Sequence, residues 1–403
     1  MVSGPGLAVM RTIADSKSAL LDPDHNPVLR GVLKPLIYDQ FCAGTTKDEV
    51  HRTAASIRNL GFAGVILTYG RELQINEKKG LVGLGREAVS QKSEDIKKWR
   101  DGNLKTLDML QPGDWLAIKY TGAGKETTED LMSGQAPPRA FSEAMDAICE
   151  RAIAQKCRIW IDAEQSWVQP TIDRWTFDIM RRYNIGSAPL VYNTIQAYLK
   201  ESRHKLQHHL QLAKQEGWTP AVKLVRGAYI GNDVREKIHD TKAETDASYN
   251  GIVRDLLSGT VPGFSQDQFP KVKLFLAGHN TDTIRKAIRL AQDLSAKGQL
   301  KVAPEFGQLQ GMADDIGCEI IEMAQQQRDA PHSQGELVAD SQTYVPHVYK
   351  CLTWGSVREC MQYLVRRAVE NQGATGRMKE GTSVIAAELW RRITSLGRRR
   401  DSL

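Results

Sequence analysis

The chain has 403 residues, 41% hydrophobic and 25% charged, with 33 Gly and 15 Pro, a composition that excludes a disordered or collagen-like chain. Lys and Arg exceed Asp and Glu by 54 to 48, and Glu388 to Leu403 carries five arginines against two acids, so this tail holds three of the six excess charges. The nearly balanced body argues against a phosphate-tracking surface, and nucleic acid is not an expected partner.

No window reaches the length of about 18 apolar residues that a membrane-spanning helix needs. The longest apolar stretch is Gly61 to Tyr69. Six cysteines (42, 149, 157, 318, 351 and 360) lie apart without a CxxC pair or a histidine at zinc spacing, which points to a reducing compartment. The N-terminus shows no signal-peptide core, and Arg11 and Lys17 are too few for a clear transit peptide.

In chain order, a Pro-rich entry (Asp22 to Pro27) leads to Thr46-Lys-Asp-Glu49, which has capping-box form. It opens a helix with apolar Val50, Ala54 and Ile57, ended at Gly61. Val65 to Tyr69 then reads as a buried strand. Further strands are predicted at Trp115–Tyr120, Ile159–Ala163, Leu190–Asn193, Val222–Val225, Leu274–Ala277, Val302–Phe306 and Tyr344–Leu352. Helical patterns lie between them: Phe141, Met145, Ile148, Cys149 and Ala152 share one face, as do Ile284, Ile288 and Ala291 after a Thr281 or Thr283 cap.

Strands alternating with helices pair in parallel. Eight of them, each followed by room for a helix, predict a (β/α)8 barrel. A doubly wound sheet would need a phosphate loop. Gly80-Leu-Val-Gly83-Leu-Gly85 has its glycines in the wrong order, and Gly122-Ala-Gly124-Lys125 lacks the first Walker glycine, so both are read as loops. Two insertions are expected, Arg71 to about Ser90 and Ser258 to Lys271.

A barrel of this kind carries its chemistry at the C-terminal strand ends. Strand two ends in Lys119, strand three leads into Asp162-Ala-Glu164-Gln165, strand five carries Lys223 and runs into Arg226-Gly-Ala-Tyr229, and strand six ends in Gly278-His279-Asn280. One such lysine alone would be read as a salt-bridge partner. Near the end, Tyr363-Leu-Val-Arg366-Arg367 sets two arginines into an apolar helical stripe. On most helices such a pair is a solvated face; here the guanidinium forks also suit a carboxylate, with Glu370 placed to hold one of them. His204 and His208, one turn apart without a third ligand, are read as surface histidines.

These segments, together with Asn193-Thr-Ile-Gln196-Ala-Tyr198 and Phe306-Gly-Gln-Leu309-Gln-Gly-Met312, occur in the order found in proline dehydrogenases, and from about Val50 to Arg392 the chain resembles that family. The resemblance implies an α/β fold, a distorted (β/α)8 barrel with an N-terminal helical arm (1–60), the barrel proper (61–385), its last helix over the barrel mouth, and a basic tail (386–403). It implies FAD at the strand ends and oxidation of L-proline to 1-pyrroline-5-carboxylate, with electrons passed to a quinone. It also implies a mitochondrial setting with possible peripheral membrane contact through the tail.

Carried over residue by residue, the resemblance makes Asp162 and Lys223 catalytic, Asp162 holding the basic cluster and Lys223 near the flavin N5 side. Lys119, Tyr229, Leu309, Cys351, Arg366 and Arg367 would bind substrate, the arginines and Lys119 taking its carboxylate. Gln196, Lys223, Val225, Arg226, Gly227, His279 and Asn280 would bind the cofactor. The chain departs from the family at Cys351, where many relatives have the tyrosine of a Tyr-x-Pro-x-Gly stretch. Either the wall beside the substrate ring is more open there, admitting a 4-hydroxyl, or Tyr349 swings in from two residues earlier. Two readings from other classes stand beside this one: a Schiff-base barrel lyase using Lys119 or Lys223, and a non-catalytic barrel whose Arg-rich tail binds an anionic surface.

Overall fold

The computed structural model describes residues 4–16, 18–70, 74–76, 80–82, 92–231, 233–329 and 344–374. They form two units, a barrel over Tyr38–Ser356 and a terminal unit joining the chain up to Ile37 with the chain from Val357.

The eight predicted strands are present: β1 (Gly64–Tyr69), β2 (Trp115–Ile118), β3 (Arg158–Ile161), β4 (Val191–Gln196), β5 (Ala221–Val225), β6 (Lys273–Ala277), β7 (Pro304–Leu309) and β8 (His347–Trp354). All neighbours run parallel, and β8 pairs back onto β1 with Cys351 opposite Ile66, which closes the barrel. Closure buries the strands on both faces, which is why they read as apolar runs in the sequence. Beyond Leu309, where β7 ends against Cys351, the last residues of β8 take a short extra strand, Cys42–Gly44, opposite Thr353 and Trp354.

Helices α1 (Lys47–Asn59), α2 (Lys92–Leu107), α3 (Lys125–Met132), α4 (Arg139–Ala154), α5 (Gln169–Tyr183), α6 (Ser202–Glu216), α7 (Lys242–Ser258), α8 (Thr281–Ala296) and α9 (Asp314–Asp329) follow the strands or the extra strand. Every residue of the predicted α4 face is buried. Thr46 caps α1, but Glu49 turns to the N–H and hydroxyl of Thr45, at 2.7 and 3.0 Å, so only half of the expected capping box forms. Helix α8 departs from the threonine cap: Asn280 is its N-cap, accepting from the Thr283 N–H at 2.9 Å, because the Thr283 hydroxyl is engaged with Asn250 and Arg226.

The two glycine segments read as loops also differ. Gly80–Val82 pairs antiparallel with Gln74–Asn76 as a small ribbon, Gly83 to Gly85 lying outside the described residues, and Gly122-Ala123 belongs to a 3-10 turn that hands over to α3 at Lys125.

Side chains alternating along the strands fill the barrel. Trp115, Trp160, Tyr192, Phe275 and Tyr349 meet in its lower half, with Trp115 ring-centroid separations between 4.7 and 6.2 Å to the other four. Gly307 is bare because a Cβ there would lie 2.6 Å from the Phe275 ring. Arg158 closes the bottom, stacked 3.8 Å from the Trp115 centroid and paired with Glu305, and its guanidinium donates to the Tyr349 hydroxyl at 3.0 Å.

That contact settles one alternative. Tyr349 does not swing toward the mouth: it lies on the same inward face as Cys351 but one layer lower, donating to Glu305 at 2.9 Å with burial and Glu305 pushing its pKa up to about 12. Period-two geometry keeps the two inward residues about 7 Å apart along the strand. Tyr349→Phe is accordingly expected to cost about 1 kcal/mol of stability, measured by urea unfolding, without changing the ratio of rates on ring-substituted and plain substrates.

In the terminal unit the helices Gly4–Asp15 and Val357–Ala374 pack together, and Arg358 donates to the carbonyl oxygens of Ile13, at 2.9 Å, and Ser16. Among the described residues no helix is long and apolar enough to cross a membrane.

Candidate active site at the barrel mouth

Inward positions two residues apart carry each strand from the aromatic layer up to the mouth. On β3 they are Arg158, Trp160 and then Asp162 just past the strand end; on β2, Trp115, Ala117 and Lys119; on β5, Ala221, Lys223 and Val225. Asp162 therefore meets one lysine from the neighbouring β2 and one that reaches it from β5, beyond β4. Lys119 Nζ donates to one carboxylate oxygen at 3.0 Å and Lys223 Nζ to the other at 2.6 Å.

All three side chains are shielded, with exposures of 17% for Lys119, 16% for Asp162 and 9% for Lys223. Lys223 also sits 3.8 Å above the Trp160 ring centroid, a cation–π contact that fixes the ammonium from below. Burial favours the neutral form of Asp162, but the attraction of Lys119 and Lys223 outweighs it and holds the carboxyl well below the usual range. The cluster carries two cations and one anion, a net charge of one positive.

Backbone contacts hold this cluster in place. The Asp162 N–H donates to Ile118 at 2.8 Å, and Trp99 from α2 donates to the Lys119 carbonyl at 3.0 Å. Buried Glu164 accepts from the Thr121 N–H at 3.1 Å and from the Thr121 hydroxyl, clamping the loop after β2 to the loop after β3. Glu164 and Trp160 were not assigned roles from sequence, although each lies two residues from Asp162: Trp160 one layer below it, under Lys223, and Glu164 in the loop above.

The other sequence-derived residues of the barrel lie around the same mouth. Gln196 ends β4 and donates to the Glu164 carbonyl at 3.3 Å, and it pairs in register with Val225. Arg226 is tied by Nε to Asp246 and by Nη2 to Thr283, each at 2.8 Å, over the Tyr249 ring. Gly227 has φ +138, and a Cβ there would enter the Tyr198 ring at 2.4 Å, so only glycine lets the chain turn beneath Tyr198. Tyr229 is half-buried in the following loop, its carbonyl accepting from Asp233.

His279 Nε2 accepts from the Leu309 N–H at 3.0 Å, and Leu309 stands opposite Cys351. Cys351 is half-buried. Arg366 and Arg367 belong to the terminal unit, on Val357–Ala374, where Arg367 is buried with its guanidinium 5.2 Å from the Tyr363 ring centroid. The Glu370 side chain and the tail with Arg398-Arg-Arg400 lie outside the described residues. His204 and His208 are exposed on α6.

The arrangement can hold an anion over a positive, water-shielded rim. It is less suited to Schiff-base chemistry, since both lysines donate to Asp162 and that partner must be displaced before either amine could attack a carbonyl.

Comparison with known proteins bears on the family and the fold. The family model described as proline dehydrogenase matches residues 50–380. The probable mitochondrial proline dehydrogenase of Schizosaccharomyces pombe is 29% identical, over 92% of this chain and 81% of that protein. Human mitochondrial proline dehydrogenase 1 is 31% identical over 62% of this chain and 38% of its own length, and bovine hydroxyproline dehydrogenase is 25% identical over 91% and 83%. The chain thus spans well under half of the human protein. Among solved structures, proline utilization A from Bdellovibrio bacteriovorus, inactivated by N-propargylglycine, shares the fold with a TM-score of 0.63 at 17% identity, covering 91% of this chain and 36% of that one. With the model matching most of its length, the chain belongs to the proline dehydrogenase family of oxidoreductases.

Proposed function

We propose that the barrel mouth binds FAD and oxidises L-proline to 1-pyrroline-5-carboxylate, with a quinone as the final acceptor. The Asp162 cluster carries this reading: two lysines, one from β2 and one from β5, converge on one carboxylate and leave a net positive rim where an amino-acid carboxylate would dock.

The residues present fit a flavin dinucleotide. Arg226 uses Nε and Nη2 on Asp246 and Thr283, while its Nη1 faces bare Gly278, where an added Cβ would come no nearer than 3.7 Å. That opening beside a guanidinium suits a phosphate. Gln196, Lys223, Val225, Arg226, Gly227, His279 and Asn280 would hold the cofactor, although the Asn280 side-chain oxygen is already used as the α8 cap. When bound, the flavin supplies the two-electron acceptor.

The chain's own residues supply orientation and charge. Arg366, Arg367 and Lys119 would take the carboxylate, and Tyr229 and Leu309 would bound the ring. Asp162, held ionised, accepts from both lysines and keeps them aimed; at neutral pH it has no proton to give. The net positive rim disfavours a protonated ring nitrogen, so substrate is held in the amine form that oxidation of the C–N bond requires.

Purified protein is expected to be yellow and to bleach with L-proline under anaerobic conditions. Protein that takes up no flavin on supplementation, or whose flavin proline leaves oxidised, overturns the reading. Trapping of a borohydride-reduced adduct on Lys119 or Lys223 would favour the lyase instead.

Cys351 supports a second reading, the same chemistry on a 4-hydroxylated proline. A cysteine opposite Leu309 leaves space that a tyrosine ring would fill, and Tyr349 is committed to Arg158 and Glu305 below. Cys351→Tyr is expected to lower the rate ratio of trans-4-hydroxy-L-proline to L-proline by about 10-fold or more, read by stopped-flow flavin reduction. For the setting, the words "mitochondrial" in the names of the fission-yeast and human relatives support a mitochondrial location, and the basic tail suits a peripheral membrane contact on the way to a quinone.

A further inference from the structure

Glu164, in the loop between Asp162 and α5, is held from three sides. Its carboxylate accepts from Thr121 beyond β2, its carbonyl accepts from Gln196 Nε2 at 3.3 Å, and its N–H donates to the Gln169 side-chain oxygen at 2.7 Å. The third contact comes from the first residue of α5.

Gln169 is 3% exposed and spans two partners of opposite kind. Its oxygen takes the Glu164 N–H, and its nitrogen donates to Asp173 Oδ1 at 2.8 Å, one helical turn on. A backbone N–H only donates and an ionised carboxylate only accepts, so the amide has a single orientation. Glutamate would lack the donor, and serine or threonine the reach. Asp173 also accepts from Asn193 Nδ2 at 3.0 Å, which ties α5 to β4. Asn193 lies on the outward face of β4, since Tyr192 meets Trp115 inside the barrel and side chains alternate. The same alternation turns Gln196 inward. Helix capping does not account for Gln169: Val168 is the N-cap of α5 without a side-chain bond, and the Gln169 oxygen is spent on the preceding loop.

We propose that Gln169 is a positioning residue for the cofactor site, and that by fixing Glu164 it sets the amide of Gln196. The Glu164 carbonyl takes the Gln196 nitrogen, so the Gln196 oxygen is the end that faces a ligand at the mouth, where it acts as an acceptor. Loss of the Gln169 bond frees the Glu164 backbone to turn, and with it the carbonyl that holds Gln196. The inference rests on the flavin reading, in which Gln196 meets the cofactor.

Gln169→Met, close in shape but without the amide, is expected to speed hydrogen exchange at the Glu164 N–H by about 10-fold or more. It should also weaken FAD binding by the full chain about 10-fold, the scale of one hydrogen bond. Gln196→Ala should weaken FAD by a similar factor. Because Gln169 acts through Gln196, the double variant should bind FAD about as weakly as Gln196→Ala alone, whereas independent effects would multiply to about 100-fold. Gln169→Glu keeps the acceptor and loses the donor; it should fall between wild type and Gln169→Met, and it carries the cycle if the methionine variant does not fold. Unchanged FAD affinity in the Gln169 variants, or a multiplied loss in the double variant, overturns the proposal. A full chain that takes up no FAD overturns the flavin reading instead. Exchange at Glu164 needs no flavin and then decides, faster exchange supporting the inference and unchanged exchange overturning it.

Discussion

Replacing Asp162 by asparagine is expected to lower kcat/KM for L-proline by about 100-fold and to destabilise the fold by about 3–5 kcal/mol, the cost of breaking a buried ion pair from one side. The carboxylate holds Lys119 at 3.0 Å and Lys223 at 2.6 Å, and all three groups are mostly shielded from water. Asparagine keeps one acceptor oxygen but no charge, so the cluster rises from one net positive charge to two, and at least one ammonium loses its partner. The rate loss corresponds to about 2.7 kcal/mol of transition-state stabilisation at 1.36 kcal/mol per decade.

The pH dependence separates this from a general loss of packing. Burial opposes ionisation of Asp162, the two lysines override it, and its folded-state pKa lies below the unfolded value of about 3.9. Between those two values the unfolded chain binds the proton and the folded chain does not, so stability rises with pH across that window. Above about pH 5 the contribution is fully present and constant; it is lost as pH falls through the folded pKa. Urea unfolding should therefore show a constant gap between wild type and Asp162→Asn from pH 5 to pH 8, narrowing below pH 4. A gap unchanged at pH 3 would mean that the charge on Asp162 is not what stabilises the site.

Arg366→Ala and Arg367→Ala are each expected to lower kcat/KM for L-proline by about 100- to 1000-fold, within the 2–5 kcal/mol typical of truncating a buried, charge-assisted contact. The proposed carboxylate contacts exist before and during the reaction, so KM should rise more than kcat falls. Arg367 is the more buried and packs over Tyr363, so its truncation should have the larger effect. Lysine at either position keeps the charge without the bidentate fork and should recover only part of the loss.

The control is pyrrolidine, which has the ring and no carboxylate. Wild type and both alanine variants should reduce flavin with pyrrolidine at the same slow rate. A drop on pyrrolidine equal to the drop on proline would show that the arginines support the fold rather than the carboxylate.

Much of the barrel was legible in the chain because parallel strands buried on both faces must be apolar throughout, and Val65, Trp115, Ile159, Val191, Val222 and Leu274 mark them without help from tertiary context. The polar residues that close those runs, Lys119, Asp162 and His279, were visible for the same reason: charge or imidazole at the end of an apolar run stands out. Helix caps were less legible. Asn280 and Thr283 are both good caps in isolation, and only Arg226 and Asn250, far away in the chain, decide that the Thr283 hydroxyl is spent elsewhere.

Sequence by itself thus determined the eight-strand order, the parallel pairing and the strand-end positions, because these depend on local period and burial. Tertiary structure alone decided that Asp162 bridges Lys119 and Lys223, that Tyr349 belongs to the bottom of the barrel and not to its mouth, and that His209 is buried against Phe177 and Trp218 while His204 and His208 are exposed. Each of those outcomes turns on distances between residues tens of positions apart, which closing the barrel sets and no local pattern encodes.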